Sequence, residues 1–201
     1  MNDPEKTSWN SKANWVQMDA WSTSCEFQEV KELWPDVTAE TLDECIGAFV
    51  RGEGVQSEEE ARKSERLLEM LRNDVPDNPG ANAGGPIYWA YRRCYKGAVA
   101  WLLLYTAFIY QGMFFGVSVF TFLPVLVNGA LFNHFYRAKA FKELKRALSL
   151  GTRDKKEVLA RMRRAGGVDK PAALRAGLSW TLLFALGVVL FALLFPNRFF
   201  R

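Results

Sequence analysis

Two regimes of hydrophobic patterning divide the chain. Up to about residue 86, apolar residues recur at helical spacing among charges; beyond it they gather into long uncharged runs. In "TAETLDECIGAFVR" (38–51), Leu42, Cys45, Ile46 and Phe49 fall at i, i+3, i+4 and i+7, and Gly52 ends the run. "SEEEARKSERLLEMLRND" opens with Ser57 and Glu60 at capping-box spacing. Its three glutamates sit where the helix dipole favours anions, and Glu58/Arg62 and Glu59/Lys63 can pair at i, i+4. Leu67, Leu68, Met70 and Leu71 lie only in its second half. Two such helices make a thin core, so they need a further surface: the chain's own basic loop, a second copy or a partner.

The second regime begins at Gly97. From there to Phe135, 39 residues pass without Lys, Arg, Asp or Glu. One bilayer crossing takes about 20 apolar residues, and Gln111, Gly112 and Gly116 interrupt the run near its middle. The pattern predicts a helical hairpin, with spans near 97–114 and 117–136, each roughly 27–30 Å long at 1.5 Å per residue. "AGLSWTLLFALGVVLFALLF" (176–195) predicts a third span. A soluble fold would have too little polar surface to cover three such helices. The expected fold class is therefore all-α, an integral membrane protein with three transmembrane helices and a small acidic N-terminal helical region. Its divisions are a polar Trp-containing tail (1–37), an acidic helical cytoplasmic region (38–74), a Pro/Gly/Asn-rich linker (75–86) and a membrane domain (87–201).

Charge orients this scheme. Residues 1–90 hold 8 bases against 18 acids, net −10; residues 91–201 hold 18 bases against 4 acids, net +14. The overall pI of about 9.0 thus describes neither half, and no groove-reading motif supports nucleic-acid binding. Arg92, Arg93 and Lys96 precede the first span, and thirteen Lys/Arg crowd 137–175. Basic loops stay cytoplasmic, which puts the N-terminus inside and the C-terminal tail outside. Tyr88, Trp89, Tyr91, Tyr95, Tyr136 and Arg137 join those three cations as expected membrane-interface anchors. In the loop 137–175, Phe141, Leu144 and Leu148, then Val158, Leu159 and Met162, form apolar faces flanked by cations. This predicts amphipathic helices on an anionic leaflet, or a basic loop that only fixes topology.

Little points to chemistry. Cys25, Cys45 and Cys94 are too dispersed for a zinc site with the single His134, and no phosphate-binding, nucleophile-elbow or metalloprotease motif occurs. No catalytic, cofactor-binding or metal residue is expected. Asn128, Asn133 and His134 are the notable intramembrane polar residues, read as hydrogen-bonding or interfacial groups. Trp9, Trp15, Trp21 and Trp34 punctuate a polar tail, as anchors for a partner's pocket or as packing onto the adjacent helices.

"YWAYRRCYKGAVAW", "NGALFNHFYRAKAFKELKRAL" and "MRRAGGV" together resemble a bacterial membrane family, domain of unknown function 2628, over about residues 86–195. In place of that family's longer Phe/Gly-rich run stands "NAGGPI", and the acidic first eighty residues have no counterpart in it. The resemblance implies a small inner-membrane protein, with Tyr91, Arg92, Asn128, Asn133 and Tyr136 as signature positions. The resulting expectation is a non-enzymatic bacterial cytoplasmic-membrane adaptor or regulator. Its partners would be the bilayer, anionic lipids at 137–175, and a protein partner or second copy. The alternative is a subunit of a small oligomeric transporter or channel.

Overall fold

The computed structural model describes residue 21 and residues 24–54, 57–115, 123–151 and 154–196. Among them every regular element is a helix: α1 (Cys25–Leu33), α2 (Ala39–Arg51), α3 (Glu58–Arg72), α4 (Pro79–Tyr91), α5 (Tyr95–Phe115), α6 (Leu123–Ser149), α7 (Lys155–Ala165) and α8 (Lys170–Leu194). They form two compact units. One joins Met1–Val75 to Phe135–Gly167, the other Pro76–His134 to Val168–Arg201, and α6 contributes residues to both.

In the first unit the sequence signals act locally. Thr38 caps α2, Ser57 and Glu60 close a reciprocal capping box on α3, and Asp154 caps α7. The α2 stripe (Leu42, Cys45, Ile46, Phe49) is buried together with Leu67, Leu68 and Leu71 of α3. Phe141 and Leu144 of α6 and Val158 and Met162 of α7 are equally buried, each 2 % exposed or less. These last four were expected on a lipid leaflet; instead they complete the core that α2 and α3 are too short to form alone. Each such side chain removed from water contributes about 1.5–3 kcal/mol. Helices α2 and α7 meet at their C-terminal ends, where the Gly167 amide donates to the Phe49 carbonyl at 2.7 Å. A Cβ on Gly166 would overlap that carbonyl, and Gly52 and Gly167 both hold positive φ (75° and 79°).

The second unit is built on α5 and α8, the two helices long and apolar enough to cross a membrane. They run parallel. Tyr95 at the start of α5 donates its hydroxyl to Asp169, the N-cap of α8, at 2.7 Å. Tyr105 stacks edge-on to Trp180, Tyr110 donates to the Leu183 carbonyl, and Phe114 meets Phe191 and Phe195. Their other faces are bare, with Leu103 62 % and Leu182 71 % exposed. Helix α4 packs on both.

Three boundaries differ from expectation. The segment 75–86, anticipated as a linker, is mostly α4: Asn78 caps it and Pro79 occupies N1, a start signal hidden in a Pro/Gly-rich composition. α4 is bent where Gly85 takes φ 48°, ψ −136°, just before Pro86. Next, α6 does not end with the apolar run at 136 but continues to Ser149, because its basic half has a protein core to pack on. The expected second span, near 117–136, begins outside the described residues; among the described residues two helices are long and apolar enough to cross a membrane, where three spans were expected.

Gly166→Ala should lower the melting temperature in detergent, a loss of about 1–3 kcal/mol from forced overpacking. Gly47→Ala, which meets only the Leu68 and Arg51 side chains at 3.4 Å or more within a helix, should be neutral or stabilising. Equal effects would show that the α2–α7 approach does not govern stability.

Candidate functional site

The second unit carries the densest polar constellation, assembled from both sides of α4 and the first half of α6. Asn128, fully buried, accepts from the Trp89 indole N–H at 2.7 Å and donates its amide to the Ala81 carbonyl. Asn133 accepts from Asn78 Nδ2 at 2.8 Å, while Asn78 Oδ1 accepts from the Ala81 amide. Asn82 accepts from the Gly129 amide and donates to Asp77, both at 2.6 Å. The cluster therefore ties α4 to α6 through carboxamides, whose donor and acceptor at one position suit a bent backbone. Asp77, at its exposed edge, is the one carboxylate in it.

Asn128 and Asn133 are thus brought together, as interhelical bonding residues; His134 is exposed. Asn78, Asn82 and Asp77 were not singled out from sequence. The Asn-Pro pair at 78–79 was the available signal.

The expected interfacial anchors divide. Tyr95 and Lys96 are exposed, and Tyr88, Tyr91 and Arg93 are partly so. Trp89 and Arg92 are instead buried at 3 % and 2 %, which corrects their assignment to an aromatic and cationic belt. Trp89 packs on Trp101 and Phe132, and the Arg92 guanidinium stacks over Tyr88 and Tyr91 at 6.0 and 5.5 Å. Arg93 takes φ 59° between α4 and α5, with the Cys94 amide donating to Trp89 O and its own to Ala90 O. This is a helix-ending motif that usually carries glycine. Tyr136 and Arg137 belong to the first unit; Tyr136 is fully buried against Phe49, which corrects its interfacial role too.

Of the tail tryptophans, Trp9 and Trp15 lie outside the described residues. Trp21 and Trp34 are buried, so they pack within the first unit and are not displayed to a partner. Trp21 donates to Asp43 at 3.1 Å and lies under the Arg137 guanidinium at 5.1 Å. Asp43 also accepts a two-pronged pair from Arg72 at 2.6 and 2.5 Å, and this hydrogen bond raises the Arg72 pKa. Acid from the N-terminal segment meets base from the α6–α7 segment: Arg137 with Glu26 and Asp74, Lys145 with Glu29, Lys155 with Glu44, Arg164 with Glu53. Burial works to raise the Glu26 carboxyl. Its own backbone amide, Arg137, Cys25 and Ser24 outweigh this and hold it below its ordinary value. Its contribution is therefore complete at neutral pH and fades as acid titrates it. Burial, aided by the Glu44 charge and opposed by Lys155, pushes the Cys45 thiol up to about 12. Among the described residues no group of three or more His, Cys, Asp or Glu could hold a metal.

The architecture and this cluster define a class, an all-helical protein with two helices capable of crossing a membrane. No family model, curated protein or solved structure matches the chain.

Asn128→Leu should strand the Trp89 indole N–H and the Ala81 carbonyl, costing about 1–3 kcal/mol for each buried group left unmade. In a thermal melt, adding Trp89→Phe to Asn128→Leu should cost less than the separate effects summed; strict additivity would rule out the coupling. At mildly alkaline pH a maleimide should label exposed Cys25 and spare Cys45 and Cys94 until denaturant is added. Labelling of Cys45 in the folded protein would contradict its burial.

Proposed function

We propose that the chain is a non-enzymatic protein of the bacterial cytoplasmic membrane that spans it three times and acts as an anchored adaptor or regulator through its acidic N-terminal region. The observation that carries this reading is the parallel pairing of α5 and α8 with their leucine faces uncovered. Two parallel crossings require the chain between them to return. The apolar stretch leading through 123–135 is the segment suited to that leg. Cations at 92–96 and 137–175 favour the α5 and α8 N-termini on the cytoplasmic side. The resemblance to domain of unknown function 2628 points the same way. Anionic lipid at 137–175 is part of the proposal through exposed cations such as Lys142, Lys156 and Arg163, since the apolar faces there are buried in protein.

The adaptor surface is the outer face of α3. Glu58, Glu59, Arg62 and Lys63 pair along that helix and are exposed, whereas Glu26, Glu29, Glu44 and Glu53 face cations of the α6–α7 segment. A transporter or channel subunit would draw on Asn128 and Asn133, and both already have partners inside the second unit.

The test is topology followed by crosslinking. The protein should stay in the membrane pellet after an alkaline carbonate wash, with a reporter at position 155 cytoplasmic and one at the C-terminus outside. A photo-crosslinker at Glu59 should yield a defined adduct that charge reversal of α3 removes. Release into the wash, or an extracytoplasmic 155, overturns the membrane assignment; a Glu59 probe without an adduct overturns the adaptor surface.

A further inference from the structure

We propose that residues 77–91 form a re-entrant element, which enters the bilayer and leaves it on one side, that of the α5 and α8 N-termini. The inference rests on reading α5 and α8 as spans. It begins with composition: from Asn78 to Tyr91 there is no charged residue, and Asp77 and Arg92 bracket the stretch. An uncharged run of about 14 residues is too short to cross a bilayer and suits a buried or re-entrant segment.

The packing gives its path. The Tyr91 carbonyl accepts from the Asp169 amide at 2.7 Å, level with the start of α8. Going back along the chain, Trp89 closes over Gly97 and meets Trp101, Ile87 lies 3.6 Å from where a Gly177 Cβ would stand, and Gly85 lies 3.5 Å from the Tyr105 ring by the same measure. Counted from the first residues of α5 and α8, those partners lie roughly 3, 9, 10 and 15 Å along the helices at 1.5 Å per residue. Gly85 is therefore near the middle of a hydrocarbon core of about 30 Å. Before Gly85 the direction reverses. Ala81 meets Asn128, and Asn78 meets Asn133, five residues further along α6. Phe132, between them, packs on Trp89 and Tyr88 of the leg that leaves. Both arms of the bent helix thus point their ends the same way, with the Gly85–Pro86 break as the tip.

Irregular backbone survives at such depth only when protein covers it and side chains satisfy it. Gly85 and Pro86 are buried, and Asn128 takes up the Ala81 carbonyl. The residues left facing outward, Pro79, Gly80 and Ala83, are uncharged and small.

Nitroxide labels on the full chain in liposomes test this, in a Cys25→Ser background where buried Cys45 and Cys94 do not react. Single cysteines at Ala83, at Leu182 on the bare face of α8 and at Glu69 on exposed α3 are compared for collision with oxygen and with a water-soluble nickel chelate. Ala83 should match Leu182, with several-fold more oxygen and less nickel contact than Glu69. Ala83 matching Glu69 while Leu182 stays lipid-facing overturns the re-entrant element alone. Leu182 matching Glu69 overturns the spans and this inference with them. A melting temperature unchanged from the parent for Ala83→Cys certifies that the folded state is being read.

Discussion

The carboxamide of Asn128 is the contact on which the second unit depends. Helix α4 breaks at Gly85, and a broken helix leaves carbonyls and amides that apolar neighbours cannot satisfy. Asn128 reaches both arms at once, taking the Trp89 indole from one and serving the Ala81 carbonyl of the other. With Asn78–Asn133 and Asn82–Gly129 beside it, the bend is fixed by side chains that carry no net charge and so avoid the desolvation of an ion. Around this frame, Trp89 meets Phe132 and Trp101 meets Tyr105 edge to face, and the two indoles lie tilted against each other. Gly97 and Gly187 leave room for the Trp89 and Tyr110 rings.

The first unit solves a different problem. Helices α2 and α3 own one apolar stripe each, and the second half of α6 together with α7 owns the complement. Burial supplies most of the stabilisation. The ion pairs across the contact, largely surface pairs, contribute about 0–1 kcal/mol each. Their acid-to-base arrangement matters more for register, since a slip of one turn would set uncharged residues such as Phe141, Ser149 or Leu159 in the places of the cations. Asp43 differs because it holds Arg72 and Trp21 together while partly buried.

What the sequence made legible was what depends on neighbours within a few residues. The Ser57/Glu60 box, the Gly52 and Gly166 stops and the uncharged stretches of α5 and α8 all correspond to features of the structure. What it hid depends on distant partners. The Pro, Gly and Asn content of 75–86 has the composition of a linker, and only contact with Asn128 and Asn133 makes a bent helix of it. Basic amphipathic faces look alike whether lipid or protein covers them, so Phe141 and Val158 gave no sign that α2 and α3 would be their cover. Trp89 and Arg92 carried the chemistry of an interfacial belt, yet Asn128, Phe132 and the tyrosine rings enclose them.

The first unit is discontinuous, which sets a timetable for its birth. Glu26 waits for Arg137 and Glu29 for Lys145, partners 111 and 116 residues downstream. At a synthesis rate of roughly 5–20 residues per second, α1 to α3 leave the ribosome on the order of ten seconds before their cover exists. Within that interval all of α5 is translated. The amino-terminal third of the polypeptide, although made first, therefore completes its unit only after α4 to α7 have followed it.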